Sequence, residues 1–164
     1  MLTKNFCSFI RAAFQKVSAE FTTTGGTAKQ SGFISTPDPP FVVMNKWTTQ
    51  TGATGVSFGT GTTPATVSDY WLESLLDSAQ IKVATPSAVS FSRFDAYDEY
   101  SVTFGVTNKT SNDITISEVG LTAMPASAGS TMCYVLVDHT VLETPVTIPA
   151  NQSKQITYTI RFNY

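Results

Sequence analysis

His139 is the only histidine in this sequence of 164 residues. Any catalytic triad or metal site that needs an imidazole must therefore use it. Its neighbours Asp138 and Glu143 are acids, and no serine near it has the glycine-flanked setting of a nucleophile elbow. We interpret His139 as a polar residue in a strand turn at residues 138–140. The sequence predicts no enzyme, with no catalytic residue, metal site or cofactor.

The densest group of carboxylates is formed by Asp95, Asp98 and Glu99. Oxygen ligands on a loop can hold calcium, but this spacing matches no EF-hand and offers too few ligands. Glycoside hydrolysis needs two opposed carboxylates, and any pair chosen from the 12 acidic residues would be arbitrary. We therefore interpret residues 95–99 as a solvated hairpin tip.

A glycine- and threonine-rich segment, GTGTTP, occupies residues 59–64. It lacks the lysine and the following hydroxyl residue of a P-loop, and it does not match the GxGxxG pattern that precedes a long helix. A loop is therefore favoured over a phosphate site. After it, Ser68 or Asp69 could cap a single helical turn that points Leu72, Leu75 and Leu76 towards the core.

Three aromatic residues, Trp47, Tyr70 and Trp71, could line a platform for a sugar. Trp and Tyr also serve as anchors in cores and interfaces, which is the commoner role. The two cysteines, Cys7 and Cys133, lie far apart and have no metal-ligand spacing. We interpret both as free buried thiols in a reduced compartment.

The composition is low in charge and rich in threonine. Charged residues make up 13% of the chain against a usual ~25%, whereas there are 26 threonines, which favour strands. The net charge is −2, so neither nucleic-acid binding nor a basic membrane-surface face has an electrostatic basis. No apolar run is long enough to span a bilayer.

Hydrophobic periodicity predicts an all-β domain with one helix. Residues 2–19 repeat apolar side chains at spacings of three and four, which indicates an amphipathic helix with Thr3 as a plausible N-cap. About nine short strands follow, including residues 33–35 and 41–47. We predict a helix at residues 1–20 and a single antiparallel β-sandwich at residues 21–164, either immunoglobulin-like or jelly-roll in topology.

The alternation of apolar and polar residues is clearest in the last 52 residues, where it predicts strand register. Ile156, Tyr158 and Ile160 alternate with polar residues without a fault, as in a half-buried strand. In the strand at 114–123, the apolar phase changes between Ile116 and Val119. The simplest explanation is a β-bulge or bend near residues 117–118 that shifts the register.

Three segments together resemble a group of small structural proteins of tailed bacteriophages, especially phages of gut bacteria. They are MLTKNFCSFIRAAF at the start, GTGTTPATVSDYWLES in the centre, and ISEVGLTA with LVDHTVLETPVTIPANQSKQITYTIRF near the end. The resemblance covers most of the chain. It implies a virion component of the tail, neck or capsid surface, assembled in the host cytoplasm, and no enzyme.

The resemblance and the composition together favour protein–protein contacts. The expected partners are other virion proteins and further copies of this chain, not nucleic acid or membrane. A receptor- or carbohydrate-binding module of a tail fibre is the alternative. The helix is expected either to dock on a neighbouring protein or to pack on the chain's own sheet, and we favour packing on the sheet. The residues expected to make such contacts lie in the helix and in the segment GTGTTPATVSDYWLES: Phe6, Phe9, Ile10, Phe14, Gly59, Thr60, Gly61, Thr62, Thr63 and Trp71.

Overall fold

The structure, a computed structural model, describes residues 1–15, 19–31, 44, 46–50, 52–124 and 134–163. Within these ranges the chain is mostly β, and its sheets are antiparallel. The elements in chain order are α1 (Lys4–Gln15), β1 (Ala19–Thr22), β2 (Ala28–Ser31), β3 (Gly55–Gly59), β4 (Ile81–Val83), β5 (Ser90–Arg93), β6 (Tyr97–Asn108), β7 (Ile114–Ala123), β8 (Val135–Ile148) and β9 (Ser153–Asn163).

Strand β6 is the centre of one sheet. It pairs along almost its whole length with β9, from Tyr97 opposite Asn163 to Thr107 opposite Ser153. Because a strand has two edges, β4 and β5 share the other edge of β6, one at each end. The alternation predicted for β9 is confirmed, since Ile156, Tyr158 and Ile160 are all buried.

The second sheet has the order β3–β7–β8. Its register shifts between Ile116, which lies opposite Val146, and Glu118, which lies opposite Val141. The predicted irregularity near residues 117–118 is therefore confirmed. Four residues of β8 (142–145) lie opposite the single residue Ser117, so the extra residues belong to the partner strand. Pro145, which has no N–H to donate, is one of them.

The two sheets share one hydrophobic core. Phe58 of β3 meets Phe104 of β6 edge to face, with ring centroids 5.7 Å apart. Such an arrangement is the favoured geometry of an aromatic pair. Fully or almost fully buried aliphatic residues from both sheets surround the two rings: Val56, Ile81, Val102, Val106, Ile116, Leu121, Val135, Val137 and Ile148.

Helix α1 packs on its own domain through Phe6. The Phe6 ring lies 6.1 Å from the ring of Phe162 on β9 and contacts the core. Ile10 is half-buried, whereas the side chains of Phe9 and Phe14 lie outside the described part of the chain. For Phe6, packing on the chain's own sheet is therefore confirmed.

Thr3 precedes the helix but does not cap it through its side chain. Its hydroxyl donates to the carbonyl of Leu136 at 2.6 Å, and the residue is 1% exposed. Asn5 is also buried, and its amide nitrogen donates to the carbonyls of Leu136 and Thr22. The Asn5 amide oxygen accepts from the N–H of Thr22 at 2.8 Å. One side chain thus joins α1 to β1 and β8.

Several local predictions differ from the structure. No helical turn follows Ser68 or Asp69 in the fully described segment 64–76, although Leu72 and Leu76 are buried as expected. Residues 138–140 continue β8 and do not form a turn. Cys7 is an exposed free thiol, so the expectation of a buried one is wrong. Cys133, the strand predicted at 33–35 and most of the strand predicted at 41–47 fall outside the described residues; of the latter, Trp47 forms an isolated bridge with Val56.

We predict that replacing Asn5 with Ala lowers the free energy of unfolding by about 1–3 kcal/mol, because it leaves buried backbone groups of β1 and β8 without their partner. Urea denaturation followed by circular dichroism measures the change. The neighbouring exposed residue provides the control, since Lys4→Ala should change stability by less than about 0.5 kcal/mol. Equal effects of the two substitutions would contradict this role for Asn5.

Candidate functional site

Glu118 of β7 is fully buried, with 0% of its surface exposed. Because successive residues of a strand point to opposite faces, its side chain lies on the face opposite to Val119 and Leu121, towards the loop between β3 and β4. A buried carboxylate is costly unless other groups compensate its charge and its hydrogen bonds. The site is built from the groups that do so.

Four donors surround the Glu118 carboxylate. Oε1 accepts from the N–H groups of Gly61 at 2.9 Å and Ser74 at 2.7 Å. Oε2 accepts from the N–H of Glu73 at 2.9 Å and from His139 Nε2 at 3.0 Å. Three of these donors are backbone groups of one loop, so Glu118 holds the two ends of that loop against β7.

Gly59 and Gly61 of the GTG segment lie so close to the Glu118 carboxylate that a larger residue would clash with it. A Cβ at Gly61 would lie 2.6 Å from Glu118 Oε1, and one at Gly59 would meet the same oxygen and, at 2.6 Å, the carbonyl of Ser74. Real Cβ atoms do not approach other atoms so closely. The glycines therefore make room for the buried carboxylate.

His139 lies between two carboxylates. Its Nδ1 is 2.6 Å from Asp69 Oδ2, its Nε2 is 3.0 Å from Glu118 Oε2, and the residue is 3% exposed. Ionised carboxylates only accept hydrogen bonds, so both ring nitrogens must donate and the imidazole is charged. We call Asp69, His139 and Glu118 the buried ion network.

The pKa values agree with this assignment. Burial lowers the pKa of His139, but the hydrogen bonds to Glu118 and Asp69 outweigh it and raise the pKa above the ordinary 6.5. Burial also raises the pKa of Glu118, yet hydrogen bonds from His139, Ser74, Glu73 and Gly61 bring it below 4.5. The pKa of Asp69 is lowered in the same way by Thr66 and His139, against a desolvation effect that raises it.

Asp69 and Glu73 also fold the loop itself. Asp69 accepts from the N–H of Thr66 at 2.8 Å and from its hydroxyl at 2.6 Å. Glu73 accepts from the N–H groups of Thr62 and Thr63, and from the Thr63 hydroxyl, all at 2.9 Å. Residues 59–76, which we call the central loop, are thus held in one conformation without a helix.

The structure sorts the residues predicted to make external contacts. A contact with a partner requires exposed residues, but Gly59 and Gly61 are both buried because they line the Glu118 carboxylate. Thr62 and Thr63 are exposed, whereas Thr60 and Trp71 are half-buried. The burial of these residues does not test whether a partner binds to them.

The predicted acidic hairpin tip is partly reassigned. Asp98 and Glu99 belong to β6, and the tip consists of residues 94–96. Asp98 pairs with Arg93 and Glu99 with Arg161, at 2.9 and 2.7 Å. Across the described ranges, no group of three or more His, Cys, Asp or Glu side chains is arranged to hold a metal ion.

Sequence reasoning misses the buried ion network, since it interprets His139 as a turn residue beside Asp138 and Glu143. Its partners in fact come from 21 and 70 positions away. One signal is present: Glu118 is the only charged residue in the ten-residue strand ITISEVGLTA. Each ring nitrogen of His139 contacts a carboxylate. What the arrangement can do is fix the central loop on the β7–β8 sheet.

We predict that Gly61→Ala lowers the free energy of unfolding by about 1–3 kcal/mol, because the new methyl group would displace the Glu118 carboxylate or the loop. A matched control exists at Gly52, where a Cβ would meet nothing within 4 Å. Gly52→Ala should therefore stay within about 0.5 kcal/mol of the parent in urea denaturation. Equal stability of the two variants would show that the loop yields without cost.

The buried ion network should make stability depend on pH on both sides of a window. The raised pKa of His139 means that its contribution is complete below pH 6.5 and is lost as pH rises through the folded-state value. The lowered pKa values of Glu118 and Asp69 mean that their contribution is complete above the ordinary 4.5 and 3.8, and is lost on acidification. The protein should therefore be most stable between these two limits.

NMR can test the alkaline limb directly, because the single histidine gives one unambiguous set of imidazole signals. We expect a midpoint above 6.5 in the folded protein and a parallel fall in the urea midpoint across the same pH range. His139→Gln should remove that fall. A folded-state midpoint at or below 6.5 would show that His139 is neutral between its carboxylates.

Comparison of the chain with protein-family models, with curated proteins and with solved structures finds no match. In the part of the chain that the structure describes, no helix is both long enough and apolar enough to cross a bilayer. The function must therefore be argued from the site and from the sequence motifs.

Proposed function

We propose that the chain is a non-enzymatic structural component of a tailed-bacteriophage particle, at the tail, the neck or the capsid surface. The observation that carries the proposal is that the segments resembling phage structural proteins meet in space. GTGTTP supplies Gly61, DYWLES supplies Glu73, ISEVGL supplies Glu118 and LVDHTV supplies His139, and these residues are joined by hydrogen bonds. The shared motif is therefore one physical unit.

A non-enzymatic role is supported by the occupancy of His139. This residue is the only histidine, and both of its nitrogens are taken up by carboxylates. General base catalysis by histidine requires a ring nitrogen within reach of a substrate proton. In His139 both ring nitrogens instead contact the carboxylates of Asp69 and Glu118.

A β-sandwich is the architecture that we propose for strands β1 to β9, with immunoglobulin-like and jelly-roll topologies both retained, and with α1 (Lys4–Gln15) as an attached helix. The Phe58–Phe104 contact joins the two antiparallel sheets through one core. Two long-range pairings, β3 with β7 and β6 with β9, interleave along the chain. Sandwiches are built from such connections.

Contacts with neighbouring proteins are supported by the surface. Phe91 and Phe94 are 50% and 44% exposed on and beside β5. Aromatic residues are enriched in interfaces. We propose that the partners are other virion proteins and further copies of this chain, that neither nucleic acid nor membrane is bound, and that the protein resides in the virion after assembly in the host cytoplasm.

Quantitative mass spectrometry of gradient-purified phage particles tests this function. We expect the chain in intact particles at several copies each, in a constant ratio to the major capsid protein across gradient fractions. A host protein of similar abundance serves as the contamination control. Loss of the chain from the particle fractions, while the capsid protein remains, would overturn the proposal.

A further inference from the structure

The central loop encloses a cavity on its outer side. The cavity measures about 490 Å³, within the usual range for small-molecule sites, and it opens to solvent. Tyr70 and Trp71 line it together with Thr63, Asp69 and Glu73, and His139 contributes to its floor. We propose that this cavity binds a neutral pyranose sugar, whatever the position of the chain in a particle.

The polar atoms of the cavity call for a ligand that donates hydrogen bonds. Asp69 and Glu73 both have pKa values below their ordinary range, so they are ionised at neutral pH and only accept. Each carboxylate already accepts three hydrogen bonds of about four that it can take. One acceptor position therefore remains on each. Sugar hydroxyls are donors of this kind.

The aromatic walls call for a ligand with a flat apolar face. Tyr70 is 47% exposed, and Trp71, its neighbour in the chain, is half-buried. Such rings offer large contact area at a small entropic cost. A pyranose combines an apolar C–H face with hydroxyls at its rim, so it can contact both the rings and the carboxylates that line the cavity.

Charge favours a neutral ligand over an ionic one. None of the described residues that line the cavity is Lys or Arg, and the His139 imidazolium is already paired with Asp69 and Glu118, so an anion would find no unpaired cation among them. A cation would gain little, because Glu73 is exposed to solvent and Asp69 is already paired with the His139 imidazolium. Hydrogen bonding and stacking therefore dominate over ion pairing.

The site is held in place before any ligand binds. Asp69 is fixed by His139 and Thr66, and Glu73 is fixed by the backbone of Thr62 and Thr63. Preorganised groups lose less entropy on binding. With about a dozen heavy atoms in the ligand, we expect a dissociation constant on the order of 1 mM for a monosaccharide.

The test uses the full chain carrying Trp47→Phe, so that Trp71 is the only tryptophan. Its fluorescence is titrated with the methyl glycosides of glucose, galactose, mannose and N-acetylglucosamine, and the protein is applied to an array of neutral glycans. We expect a saturable change with at least one glycoside. Tyr70→Ala and Glu73→Gln should each weaken binding about tenfold. Phe91→Ala, an exposed aromatic residue of β5 outside the cavity lining, should leave binding unchanged.

Methylguanidinium chloride, at matched ionic strength, is the cationic probe. Saturation by this probe without a response to any sugar would overturn the proposal in favour of a cation site. The proposal also fails if neither the glycosides nor the array bind, or if binding survives both cavity substitutions in variants that keep the parent's circular dichroism spectrum. None of these outcomes depends on whether the chain is found in phage particles.

Discussion

The burial of one carboxylate governs the arrangement of the second sheet and the central loop. Glu118 is without solvent, so its charge must be met by His139 and its oxygens by the backbone of Gly61, Glu73 and Ser74. Removing one partner of a buried ion pair costs about 3–5 kcal/mol, a large part of the ~5–15 kcal/mol that stabilises a typical domain. The requirements of a buried charge therefore hold residues 60–76, which contain no helix and no named strand, against β7.

The features that can be predicted from the sequence are those written in local periodicity. The alternation in β9 and the phase change near residues 117–118 appear in consecutive residues, so they can be inferred without knowledge of partners. The buried ion network cannot, because Asp69 and His139 are 70 positions apart and no period joins them. Chemical expectation also misleads, since glutamate is almost never fully buried unless it is paired.

Tertiary context also overrides local signals near the start of β8. The DHT sequence at 138–140 favours a turn, yet the strand continues there because the first residues of the chain pair with its free edge. The N–H of Thr3 donates to the Val137 carbonyl, and the N–H of His139 donates to the Met1 carbonyl. The same pairing brings Thr3 to the Leu136 carbonyl and takes its hydroxyl away from the helix N-terminus.

The interleaved pairings of β3 with β7 and of β6 with β9 have a consequence for the order of folding. Closing such long loops is entropically unfavourable until both sheets have paired. The buried ion network joins the central loop to two strands that must already lie side by side, so we expect it to form late. Interactions made after the transition state slow unfolding and leave the folding rate nearly unchanged. We therefore expect Glu118 and His139 to affect the lifetime of the folded chain more than the speed at which it forms.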